Sequence, residues 1–191
     1  MIGIAGTHST GKSTFVSRAA EAIEARGLLV GRIGDLATKA RNLGFPILTG
    51  HTYESTLWIM TEGIRQETEA LLRNDVVLVD RPVPDALGYL NAALEVSRRE
   101  MDGVRLAELN EITAAHVTRY DLLIVTVLDQ AIPLDPNRDP DAYFRLAAAR
   151  HVTAIIDRHR PLALKLTSGN ADEILRDAVG AALVHCRTGD A

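Results

Sequence analysis

The chain has 191 residues, of which 47% are hydrophobic and 24% charged, and its formal net charge is -4. That length suits one domain burying its own core, while an acidic balance with scattered Arg and Lys argues against a long nucleic acid as partner. A single cysteine, Cys186, excludes an intramolecular disulfide, and no apolar run approaches the roughly 20 residues that span a bilayer.

Met1 leads straight into an apolar run with no basic stretch before it, so the expected localisation is cytoplasmic, with no membrane association. Met1 to Ala5 reads as a buried strand ending at Gly6, and Ser13 to Ala25 as a helix with apolar residues at helical spacing, closed by Arg26-Gly27. Leu28 to Ile33 is a second strand, followed by Gly34 and Asp35. A short helix over Leu36 to Leu43 ends at Gly44 and Pro46, and a long one runs from Thr52 to about Arg73. Val76 to Val79 is the most strand-like segment and stops at Asp80-Arg81-Pro82. Two helices follow, Ala86 to Glu100 and Val104 to Thr118, then a strand over Leu122 to Leu128. The Pro- and Asp-rich stretch from Asp129 to Pro140 is a loop. Asp141 to Arg158 is a helix, Leu162 to Thr167 the last strand, and Ala171 to His185 the closing helix. This alternation predicts an α/β fold of three layers, a five-stranded parallel sheet with helices on both faces, in one domain over residues 1–191.

Gly6-Thr7-His8-Ser9-Thr10-Gly11-Lys12-Ser13 satisfies the phosphate-loop pattern G-x-x-x-x-G-K-S/T. Its glycines allow a tight turn that points successive N–H groups at phosphate oxygens. Lys12 reaches the outer phosphates, Ser13 offers a hydroxyl to magnesium (Mg2+), and the helix adds its positive end. An apolar strand before the motif and an amphipathic helix after it supply the context the mechanism demands. The expected ligand is a nucleoside triphosphate with Mg2+, held by Gly6 to Ser13 and Thr14.

Asp80 follows four aliphatic residues and therefore stands at the carboxyl end of a buried strand, where open sheets place ligands. It suits a metal or a proton, and also a helix cap. Arg81 directly after it favours a site for metal plus phosphate.

G-T-H-S-T-G-K-S-T with the later D-R-x-x-x-D, Asp80-Arg81 to Asp85, resembles the small P-loop kinases and AAA-like ATPases, nearest to the ribosylnicotinamide kinase domain of NadR-type proteins and more distantly to thymidylate and deoxynucleoside kinases. The resemblance implies an ATP-dependent kinase that hands the γ-phosphoryl group to a nucleoside, nucleotide or related hydroxyl acceptor. By the same resemblance Asp35 is an acid meeting the acceptor and competes with Asp80 as general base, although deoxynucleoside kinases carry a glutamate there. Arg41 matches an acceptor-side arginine. Residues 129–150 correspond to a lid whose arginines close over the phosphoryl group, with Arg138 the first choice and Arg145 and Arg150 the others. The helix from Thr52 lines the acceptor pocket in such kinases, which makes Trp58, Tyr53 and Gln66 candidates, with core packing as the alternative for Trp58. Gly169 lies in the segment that meets adenine.

The six histidines show no metal-binding spacing, and His8 falls at a tolerant loop position. The rival function is a nucleotide-hydrolysing P-loop ATPase or regulatory switch acting on a protein partner. Such proteins commonly keep two adjacent acids at the strand end, and here the second is Arg81. The acceptor, the choice of ATP over GTP, and monomer against homodimer stay open.

Overall fold

The computed structural model describes residues 1–7, 10–128 and 142–188. Five short strands form one parallel sheet: β1 (Ile2–Ala5), β2 (Val30–Ile33), β3 (Val76–Asp80), β4 (Leu122–Thr126) and β5 (Leu164–Leu166), in the spatial order β2-β3-β1-β4-β5. The phosphate-loop strand is therefore central, flanked by β3 and β4, with Ile4 level with both Asp80 and Ile124.

The period-2 alternation of strand side chains builds the two outer layers. Ile2, Ile4, Leu78 and Ile124 pack against α1 (Lys12–Glu24) and α7 (Ala171–Thr188). Val77, Val79, Leu123 and Val125 face the other way, onto α4 (Val83–Ser97) and α6 (Ala142–His159). A third apolar cluster joins α4 to α3 (Tyr53–Ala70), α5 (Gly103–Val117) and α6 through Met60, Leu87, Leu90, Leu109 and Ile155. Helix α2 (Leu36–Asn42) follows β2, and a 3-10 turn over Leu48–Gly50 leads to α3, whose start Thr52 and Ser55 cap reciprocally.

The predicted elements are all present, with shifted ends. Helix α4 begins at Val83 rather than Ala86, because Pro82 and Pro84 sit in the first turn, where an N–H would have no intrahelical acceptor and its loss costs nothing. Leu29 and Leu162 are 63% and 91% exposed and stay outside the sheet, which shortens β2 and β5. Among the described residues no helix is long and apolar enough to cross a membrane.

One polar network lies inside the helical layer. Glu67 of α3 is 1% exposed, and His116 of α5 and Tyr120 bond its two oxygens. Tyr120 donates to Glu67 Oε1 at 2.7 Å and accepts from the Val83 N–H at 3.2 Å, so the network reaches the first residue of α4.

Candidate active site

The chain leaves β1 through a turn that only glycine fits. Gly6 has φ 125°, and a Cβ there would stand 2.1 Å from Thr126 Oγ1. Gly11 caps α1 in the left-handed region at φ 79°. Thr10 Oγ1 donates to the Thr7 carbonyl at 2.9 Å and lies 2.7 Å from Thr126 Oγ1, which itself donates to the Ala5 carbonyl at 3.1 Å. The loop is thus tied to the end of β4. Lys12 is buried, its ammonium donating to the Thr7 carbonyl and lying 3.5 Å from Thr10 Oγ1. Ser13 and Thr14 are exposed on the first turn of α1. His8 and Ser9 lie outside the described residues.

Ser13 Oγ donates to Asp80 Oδ2 at 3.2 Å, joining the start of α1 to the end of β3. The other oxygen, Asp80 Oδ1, is buried with no hydrogen-bond partner among the described residues, and so is Thr7 Oγ1. A serine hydroxyl and a carboxylate with an unpaired buried oxygen form a hard oxygen donor set, which fits Mg2+.

Arg81 takes φ 70°, a left-handed conformation that costs a non-glycine residue on the order of 1 kcal/mol. Its N–H donates to the Ile4 carbonyl at 3.1 Å, and its guanidinium lies 4.9 Å from the Tyr89 ring centroid. Nη1 also donates to the Gly6 carbonyl at 3.4 Å. Asp85, 2% exposed, accepts the Gly6 N–H on both oxygens at 3.3 and 3.1 Å and stands 3.9 Å from Arg81. Burial pushes the Asp85 carboxyl up to about 7. Arg81, Lys12 and the Gly6 N–H act against that rise, and Asp80 adds to it. Beyond Tyr89 lies His51, 3% exposed, which burial and the charges of Arg81 and Arg99 lower to about 4.

Asp35 is exposed, caps α2 at φ 60°, and makes no side-chain capping bond. It adjoins the site through its neighbour: a Cβ on Gly34 would lie 3.4 Å from Asp80 Cβ. Arg41 is exposed in the last turn of α2. Trp58 is half-buried and stacks on Phe45 with centroids 5.6 Å apart, which occupies one of its ring faces. Tyr53 points to α5, donating to Glu108 at 2.6 Å with Arg105 over its ring, and Gln66 donates to Glu62 at 2.6 Å.

Arg145 is 6% exposed on α6. Arg150 is exposed and anchored to α4 by both Glu95 oxygens, at 2.5 and 2.6 Å. Arg138 and the rest of the expected lid loop, residues 129–141, lie outside the described residues. Gly169 lies in a loop braced by Asn170, which accepts from the Thr167 N–H at 2.7 Å and donates to the Lys165 carbonyl at 2.9 Å. A polar groove of about 420 Å³ opens there, lined by Gly169, Arg18 and Arg176 among others.

Thr126, Tyr89 and His51 join this assembly without any sequence motif that marks them. Asp85 was visible only as the last letter of D-R-x-x-x-D.

A family model described as AAA domain matches residues 1–173. No curated protein matches the sequence. Among solved structures, the NadR protein in complex with NR superposes with a TM-score of 0.63 at 13% identity, over 87% of this chain and 44% of that one. This chain thus spans less than half of the NadR protein chain. Deoxyadenosine kinase from M. mycoides with bound dATP superposes with a TM-score of 0.58 at 11% identity, over 94% of this chain and 98% of that one. At such identities the likeness is one of fold, the five-stranded parallel α/β arrangement.

Proposed function

We propose, because the chain belongs to the AAA domain family, that it is an ATP-dependent phosphotransferase whose acceptor is a small nucleoside-like hydroxyl compound. The observation that carries this reading is the meeting of Ser13 and Asp80, 3.2 Å apart beside the phosphate loop, with an arginine rather than a second acid next to Asp80. An acid at that next position suits polarising water, whereas Arg81 suits holding a phosphoryl group. The two structures of like fold were solved with NR and with dATP, and the second is a deoxyadenosine kinase.

In this reading the amides of Gly6 to Ser13 and the Lys12 ammonium hold the β- and γ-phosphates, with Thr14 on the same turn. Ser13 and Asp80 would hold Mg2+, which when bound neutralises charge on the phosphate oxygens. The acceptor hydroxyl attacks the γ-phosphorus, the bond to the β-phosphate oxygen breaks, and the hydroxyl proton passes to a carboxylate. Asp80 acts through the metal's water shell or as that base, with Asp35, next to Gly34 which packs on Asp80, the competing acid. Arg81 with Arg138 and Arg145 stabilises the equatorial oxygens, and residues 129–150 act as a lid excluding water. Arg41 and Trp58 face the acceptor, and Gly169 the base of the nucleotide.

Incubation with Mg·ATP and a panel of nucleosides, nucleotides and amino sugars, following ADP release, tests the reading. Strong stimulation by one acceptor supports it. Turnover independent of any acceptor and raised only by a protein partner would replace it with the regulatory ATPase.

A further inference from the structure

We infer that Asp85 is a positioning residue for nucleotide binding and transfer, acting through Gly6 and Arg81 rather than on substrate. The inference rests on the phosphotransferase reading only for transfer; for binding it needs no more than the phosphate loop.

Two side chains four positions apart grip one glycine. The Gly6 N–H donates to both oxygens of Asp85, and the Gly6 carbonyl accepts from Arg81 Nη1 at 3.4 Å. Gly6 is the residue from which the loop turns, and its φ of 125° has no side-chain contact of its own to define it. A residue with that freedom loses the most entropy when fixed. The clamp fixes it before the ligand arrives, which is how preorganised amides gain affinity.

Asp85 occupies a fixed place because the first turn of α4 is fixed. Its own N–H donates to the Pro82 carbonyl at 2.8 Å, and Val83 is held by Tyr120. Arg81 depends on it too. The guanidinium stands 3.9 Å from Asp85 Oδ2 and lies over Tyr89, so the carboxylate holds it against the loop.

Burying a carboxylate where an apolar residue would pack is costly unless charge and hydrogen bonds compensate. A residue kept there for folding alone should stabilise the protein. Burial disfavours the Asp85 charge, and Arg81, Lys12 and the Gly6 N–H only partly offset that cost. Those partners all belong to the phosphate loop or the turn beside it, which is the mark of a group serving the site.

The test compares wild type with Asp85→Asn, which keeps shape and one acceptor but removes the charge. Calorimetric titration with Mg·ATP, without acceptor, should show affinity about tenfold weaker in the variant, and kcat with a stimulating acceptor should fall at least as far. The thermal midpoint without nucleotide at pH 8 should not fall. Unchanged affinity and kcat overturn the inference, and so does a loss of activity that merely follows a lower midpoint. A measurement on the unmodified protein stands beside it: the Gly6 amide should exchange slowly with solvent deuterium without nucleotide, and exchange at the rate of an open loop overturns the clamp. If wild type binds Mg·ATP but no acceptor raises ADP release, the kinase reading falls while the binding comparison still decides the role of Asp85.

Discussion

Tyr120 and Glu67 share a hydrogen bond of 2.7 Å inside a core where neither residue is more than 1% exposed. The same phenol accepts from Val83, so the group that neutralises a buried carboxylate's need for donors also pins the helix start behind Asp80-Arg81. Tyr120→Phe should leave both the Val83 N–H and one Glu67 oxygen unsatisfied, at a cost of roughly 1–3 kcal/mol. Urea denaturation reads this directly as a lower midpoint with an unchanged slope.

Lys12→Ala should abolish transfer while the protein stays folded. Its ammonium rests on the Thr7 carbonyl within the loop and outside the apolar clusters, so the substitution removes a charge from the loop. A loss of about 10³-fold or more in kcat/KM is expected for a charge aimed at the transferring group, checked by coupled ADP release alongside a circular dichroism spectrum.

Asp80→Asn should raise the Mg2+ concentration needed for half-maximal activity, on the order of tenfold or more. Asn keeps the bond from Ser13 but loses the charge on the buried, unpaired oxygen. A magnesium titration at saturating ATP separates this from a change in nucleotide affinity.

Asp35→Asn should lower kcat far more than it weakens Mg·ATP binding. Asp35 caps α2 without a capping bond, so the substitution removes no fold contact of that kind. Calorimetry and acceptor-dependent kinetics on the same preparation decide it, and equal losses in both would put Asp35 on the nucleotide side.

Asp85 makes stability depend on pH with a definite sign. Its carboxyl is raised in the folded chain from 3.8 to about 7, so the folded state binds the proton more tightly than the unfolded one. The contribution is present below about pH 4 and is lost as pH rises through 7. The stability of Asp85→Asn relative to wild type should therefore climb between pH 4 and 7 and then level off, as denaturation series at several pH values would reveal.

Much of this was legible from local pattern. The alternation of apolar runs and amphipathic stretches located every strand and long helix, and the phosphate loop carried its own glycines and lysine. Asp80 could be placed because four aliphatic residues before it define a buried strand end. The start of α4 was read late, since Pro82 and Pro84 resemble a break when they are in fact a first turn. Thr126 and His51 were invisible for a different reason. One is the polar end of an apolar strand and the other a histidine after a turn, and each matters only through partners far along the chain. Arg150 illustrates the converse: its position after the lid loop marks it as a lid arginine, while its partner Glu95 on α4 carries no local sequence signal.

The two clamps on the phosphate loop come 79 and 116 residues after the residues they hold, from Asp85 and Thr126. Contacts of such separation close late, because the intervening chain must be ordered first. The loop therefore takes its clamped form only once the sheet has assembled through β4.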